Sequence, residues 1–170
     1  MPLRIPLRIT EEEPPFVTAH VYWLRKGTKD RIDFLVDTGA WDITISEDNA
    51  RALGARLNEL PRSRLTIGSI GGRAALFDMD DVMLQFNCEG GKNWDVFLRS
   101  VQVTQNPRGI RGLQGTAHVP SLLGRGFMKR NRIVLYWDFD AGLAYLDVKG
   151  GGCLRSGRDR IKALKQVNIT

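Results

Sequence analysis

The residue whose type and setting most invite chemistry is Asp37. It closes the apolar run Phe34-Leu35-Val36 and is followed by Thr38-Gly39-Ala40. A lone carboxylate is costly to bury at the end of such a run, so its position demands compensation. The chemistry open to it is general acid–base work. Gly39 lets backbone and water approach where any side chain would collide, and Ala40 brings no hydroxyl that could donate to the carboxylate, as a serine would. The bare triplet also describes an aspartate in a surface turn, and Thr38 alone is also an ordinary β-branched strand residue. The sequence contains no second Asp-Thr-Gly or Asp-Ser-Gly. Other chemistries find little support. His20 and His118 have no cysteine or carboxylate nearby in metal-ligand spacing, and Cys88 and Cys153 form no C-x-x-C pair, so neither a metal nor a cofactor is expected.

The elements that must position Asp37 read as short strands separated by glycine, asparagine and aspartate turns, with two credible helices; the pattern predicts a mainly β chain. Residues 16–24 and 31–36 flank the polar link 25–30 and form a hairpin whose second arm ends at Asp37. The run 41–45 leads to Ser46, a good N-cap, and Glu47 and Asp48 favour a helix start. Ala50, Leu53 and the terminating Gly54 complete that short helix. Residues 65–67 run into Gly68-Ser69-Ile70-Gly71-Gly72, and 76–86 return as a strand, giving a glycine-tipped hairpin. A turn at 87–93 leads to a strand over 94–103. Segment 104–118 carries three glycines, a proline and no periodicity; a loop of that length is functional or mobile. The apolar run 119–124 enters a short helix at Arg125-Gly126-Phe127-Met128-Lys129, where Gly126 costs about 1 kcal/mol. Residues 133–137 and 143–146 form a closing hairpin.

Before this body, Leu3, Ile5, Leu7 and Ile9 alternate with Arg4, Pro6 and Arg8. That is a one-sided strand, which Pro6 confines to an edge, or else a mobile arm. After it, Gly150-Gly151-Gly152 marks a boundary, and the basic tail sets Ile161, Leu164 and Val167 at helical spacing. The expected division is an arm over 1–15, one domain over 16–148 and a tail over 149–170.

The chain has 170 residues, 42% hydrophobic and 26% charged, the range of a soluble single domain with its own core. The formal charge of +6 favours acidic partners, yet no basic patch is interleaved with aromatics, so nucleic-acid binding is not expected. The start of the chain lacks the apolar segment of a signal peptide, and no stretch nears the roughly 20 apolar residues of a membrane span. A cytoplasmic, soluble chain is expected.

Four places, in the same order, resemble the retroviral and retroviral-like (retropepsin-type) aspartic proteases. They are Leu35-Val36-Asp37-Thr38-Gly39-Ala40, the glycine hairpin 67–72, Leu122-Leu123-Gly124-Arg125, and the strand that follows. The resemblance implies a mainly β, single-domain retropepsin-like acid-protease fold. Its subunit is a closed β-barrel-like unit with a flap hairpin and short helices, working as a homodimer. It implies that Asp37 faces the Asp37 of a second copy. Two carboxylates about a hydrogen bond apart share a proton. One then acts as base on a water held between them while the other, protonated, polarises a peptide carbonyl. The implied function is an aspartic endopeptidase cutting extended peptides without metal, cofactor or covalent intermediate. The implied roles are catalytic for Asp37, Thr38 and Gly39, with Thr38 hydrogen-bonding across the dimer. Ala40, Asp42, Ile70, Gly71, Gly72 and Leu122 contact substrate, and Gly124 and Arg125 support the site. In retroviral relatives the arginine of this last motif pairs with an aspartate directly after the alanine. Trp41 stands there and Asp42 follows, which leaves the pairing of Arg125 with Asp42 open. Two rival readings remain: a dimerisation or peptide-binding module of this fold that hydrolyses little, and a basic accessory protein that binds nucleic acid, which salt-dependent retention would reveal.

Overall fold

A computed structural model describes residues 3–10, 12–69, 72–107 and 118–149. In it, alternation of inward and outward residues builds most of the chain into strands. On β2 (Phe16–Trp23), Val17, Ala19, Val21 and Trp23 are buried, and on β3 (Thr28–Asp37) Ile32, Phe34 and Val36 are. Both strands present one face to a common core, as period-two patterning requires. They form the hairpin expected from the sequence, with Phe16 opposite Leu35 and Trp23 opposite Thr28. Its turn includes Gly27 at φ +64°, a left-handed conformation that glycine adopts without steric cost.

The short β4 (Thr44–Ser46) leads directly into α1 (Glu47–Ala52). The Ser46 hydroxyl accepts the Asn49 amide at 3.3 Å, and Glu47 and Asp48 occupy the first turn, as the cap pattern predicts. Then come β5 (Arg62–Ser69) and the long β6 (Gly72–Asn87), antiparallel, with Ser69 opposite Gly72. The tip of this glycine hairpin, Ile70 and Gly71, lies outside the described residues. β7 (Asn93–Thr104) pairs with β6 along nearly its whole length.

The remaining elements are β8 (Ser121–Gly124), α2 (Arg125–Arg130), β9 (Ile133–Asp138) and β10 (Leu143–Val148). The strand order is β2-β3-β8-β4-β7-β6-β5, and a further β2–β6 pairing closes six of these strands into a barrel with β5 hung outside it. Closure removes the sheet edges that would otherwise be left open along these six strands. β8 runs parallel to β3 with Asp37 beside Gly124, while β4 runs antiparallel to β8 and parallel to β7.

A second sheet has the order β1-β10-β9, where β1 (Leu3–Pro6) pairs antiparallel with β10. The amino-terminal segment therefore joins the folded unit at an edge, with Leu3 and Ile5 buried. Arg4 lies over the Tyr145 ring at 4.5 Å on the opposite face. Phe86, Trp94 and Phe127 form an aromatic cluster with centroids 5.4–6.3 Å apart that fastens α2 to the barrel. No helix among the described residues is long and apolar enough to cross a membrane. The tail beyond Lys149 and most of the 104–118 segment, namely 108–117, lie outside the described residues.

The two stems of that segment are tied to α1. The buried Asn106 donates its amide to Glu47 Oε2 at 2.9 Å and its Nδ2 to Asp48 Oδ2 at 3.2 Å, and its Oδ1 accepts the Val119 amide at 3.2 Å. His118 Nδ1 lies 2.6 Å from Asp48 Oδ2. The hydrogen bond from His118, ahead of opposing burial and a smaller contribution from Asn106, holds the Asp48 carboxyl below its usual range. A lowered carboxyl pKa stabilises the fold above the ordinary carboxyl value of about 3.9, and the contribution is lost as pH falls through the lowered value. Asp48 is 39% exposed, so its share is modest, about 0.2–1 kcal/mol. His118→Ala is expected to flatten the fall in stability on the acid side of about pH 4, read as urea midpoints across the acid range. Phe127→Ala, emptying the middle of the aromatic cluster, is expected to cost about 3–5 kcal/mol in the same measurement.

Candidate active site

Asp37 is the last residue of β3, and its position follows from the strand it ends. Buried Val36 pins the backbone, and beyond Asp37 the chain turns away through the exposed Thr38 and Gly39. The turn is held by the aspartate itself. Its Oδ1 accepts the Gly39 amide at 2.8 Å, and its main-chain oxygen accepts the Ala40 amide at 3.1 Å. This is an Asx-type turn, the local device by which aspartate shapes its own backbone. A Cβ on Gly39 would stand 3.1 Å from Asp37 Oδ1, crowding the carboxylate. Among the described residues the Gly39 amide is the one hydrogen-bond donor to that carboxylate, and no second carboxylate of the chain is bonded to it. The half-buried group keeps an open side.

The loop after Asp37 rests on the start of α2. The Arg125 amide donates to the Ala40 oxygen at 3.0 Å and the Gly126 amide to the Trp41 oxygen at 2.7 Å. These are N-terminal helix amides that the helix itself leaves without partners. So close an approach leaves no room for side chains. A Cβ on Gly124 would lie 2.5 Å from the Asp42 oxygen and 2.7 Å from the Ala40 oxygen, and one on Gly126 would lie 2.5 Å from the Trp41 oxygen. Gly124 thus sits against the backbone of the loop. Gly126 shares the duty, although its sequence context suggested only a weakened helix. A glycine inside a helix start, where no left-handed backbone is needed, is itself a signal of close approach.

Asp42, expected among the substrate-contacting residues and left open as a partner of Arg125, is taken by Arg130. Arg130 Nη2 donates to Asp42 Oδ1 at 2.6 Å, and the same oxygen accepts the Ile43 amide at 2.8 Å. The hydrogen bond from Arg130 to Asp42 raises the already high pKa of the guanidinium. A Cβ on Gly126 would stand 3.4 Å from Arg130 Nη1 and 3.5 Å from Asp42 Cγ, ordinary contact distances, so it is the Trp41 oxygen and not this ion pair that demands the glycine. Arg125 instead lies over the Trp41 ring, 5.3 Å from its centroid. Sequence reasoning missed Arg130; the signal was a second arginine one helical turn past a glycine.

The other residues singled out are dispersed around this core. Leu122 is half-buried on β8, beside Leu35 and opposite Thr44. Gly72 begins β6, and Ile70 and Gly71 fall outside the described residues. Ser121, not singled out by sequence, is buried and accepts both the Ser46 amide at 2.9 Å and Asn49 Nδ2 at 2.8 Å, joining β8 to the cap of α1. Cys88 is buried, and burial pushes its thiol pKa up, which disfavours the thiolate needed for nucleophilic chemistry. No group of three His, Cys, Asp or Glu able to hold a metal ion occurs among the described residues.

Neither a protein-family model nor a curated protein matches the chain. Among solved structures it is similar to a retropepsin-like aspartic protease from Rickettsia conorii, with TM-score 0.48 and 23% identity over 85% of this chain and 90% of that one. It is also similar to the EIAV protease complexed with the inhibitor HBY-793, with TM-score 0.46 and 16% identity over 76% of this chain and 99% of that one. Both likenesses are of shape. The chain itself is mainly β, with a closed six-strand barrel and two short helices among its described residues.

Replacing Gly126 with alanine separates close approach from helix propensity. Propensity alone predicts a gain of about 1 kcal/mol. The clash with the Trp41 oxygen predicts a loss of about 1–3 kcal/mol, and a loss is the expected outcome in urea unfolding.

Proposed function

We propose that the chain is one subunit of a homodimeric aspartic endopeptidase in which Asp37 from each of two copies forms the catalytic pair. The observation that carries this reading is the setting of Asp37. It stands at the end of a strand, oriented by its own turn onto Gly39, on a loop packed against Gly124 and Gly126, and no carboxylate among the described residues is bonded to it. A dyad needs such a partner, and a second copy supplies it.

In the paired site the two carboxylates carry one proton between them. The ionised Asp37 takes a proton from a water held between the pair as that water attacks the peptide carbonyl. The protonated Asp37 donates to the carbonyl oxygen. Collapse of the tetrahedral intermediate then returns a proton to the leaving nitrogen and breaks the C–N bond. In this reading the Gly39 amide steadies the carboxylate's orientation and the exposed Thr38 ties one loop to the other. The flap role expected of Ile70, Gly71 and Gly72 from the sequence belongs to the same reading, as does contact of Leu122 and Ala40 with the peptide. The exposed Val134, Tyr136 and Leu143 on the β1-β10-β9 sheet favour a subunit contact there.

The experiment is a peptide library incubated with wild type and with Asp37→Asn over acidic to neutral pH. Cleavage is expected in the wild type and a loss of about 10²–10⁴-fold or more in the variant; cleavage that survives the substitution removes the mechanism. Specific activity is expected to fall on dilution as dimers part. Peptide binding without Asp37-dependent cleavage would make the chain a binding module of the same fold.

A further inference from the structure

Among the described residues, the exchange of partners around the loop 38–42 leaves Arg125 without a carboxylate. Arg130 holds Asp42, so the negative charge nearest the loop's far side is neutralised. Arg125 forms no ion pair with a carboxylate among the described residues; it is exposed and lies over the ring of Trp41, itself 74% exposed. The backbone of both residues is fixed. The Arg125 amide is bonded to Ala40 and the Trp41 oxygen to the Gly126 amide. Arg125 also directly follows Gly124, the residue beside Asp37 in the parallel β3–β8 register. A pre-positioned guanidinium on an aromatic shelf thus stands at the edge of the loop that carries the catalytic carboxylate. A guanidinium over a ring spends its face on the aromatic and keeps its in-plane N–H donors for a carboxylate, which they match in bidentate geometry.

Resting on the endopeptidase reading above, we infer that Trp41 and Arg125 form a subsite for an acidic side chain, so that the preferred substrates carry glutamate or aspartate near the cleaved bond. The stem of that side chain lies on the exposed indole and its carboxylate meets Arg125. Asp42 does not repel it, because Arg130 neutralises Asp42.

The test is binding as well as cleavage. A library in which each position carries either Glu or its neutral isostere Gln is titrated against Asp37→Asn, with tryptophan fluorescence as the readout, and is digested in parallel with wild type. Glu peptides are expected to bind and to be cleaved about three- to tenfold better than their Gln counterparts at low salt, and the ratio is expected to shrink as salt rises. Arg125→Gln should bring the ratio to about one, and Arg125→Lys should retain part of it. A ratio near one in the parent protein, a ratio that survives Arg125→Gln, or no peptide binding at all overturns the subsite. Cleavage by wild type without a charge preference sinks the subsite and leaves the endopeptidase standing. An Arg125-dependent Glu preference without Asp37-dependent cleavage does the reverse. If Arg125→Gln instead weakens self-association in sedimentation and leaves the ratio intact, the cation serves contact between copies and the subsite is refuted.

Discussion

The close contact between the loop 38–42 and the first turn of α2 is the constraint on which the rest depends. Two helix amides meet two loop oxygens at 3.0 and 2.7 Å, and the space between admits no Cβ at Gly124 or Gly126. Backbone contacts of this kind are stiff, because neither partner has a side-chain torsion with which to relax. They fix where the loop leaves β3 and hence where Asp37 points. The cost is two glycines, Gly124 and Gly126, at the start of a short helix of weak intrinsic propensity, which is offset by anchoring that helix through Phe127 into the Phe86–Trp94 cluster.

The barrel serves that contact. Pairing β3 with β8 in parallel sets Asp37 beside Gly124, and parallel neighbours can be brought together only by a long crossover. Here the crossover takes in β4 through β7, of which β4, β6 and β7 close the remaining wall. The loop 38–42 and the helix that holds it are thus far apart in sequence and adjacent only because the barrel shuts. Asn106 and Ser121 act at the seams. One ties the stems of the 104–118 segment to α1, and the other bonds β8 to the cap of the same helix.

Charge around the loop is arranged by which arginine reaches which partner: Asp42 is claimed by Arg130, and Arg125 turns to Trp41. The loop's outer side is therefore an aromatic rim, Trp41, with the Arg125 guanidinium over it and no carboxylate paired to that cation among the described residues.

Much of this was legible in the residues alone. Periodicity gave the β2–β3 hairpin, Ser46 with Glu47 and Asp48 gave the start of α1, and the apolar run before Asp37 marked it as a carboxylate needing compensation, because these are local properties of side-chain spacing and backbone chemistry. The absence of a second such aspartate, also visible in the chain, pointed outside it. What the sequence left open was decided by contacts between residues distant along it. The partner of Asp42, the reason for Gly126, and the pairing of β1 with β10 depend on which side chains the closed barrel brings within reach, and no spacing rule connects residue 42 to residue 130 or residue 3 to residue 148.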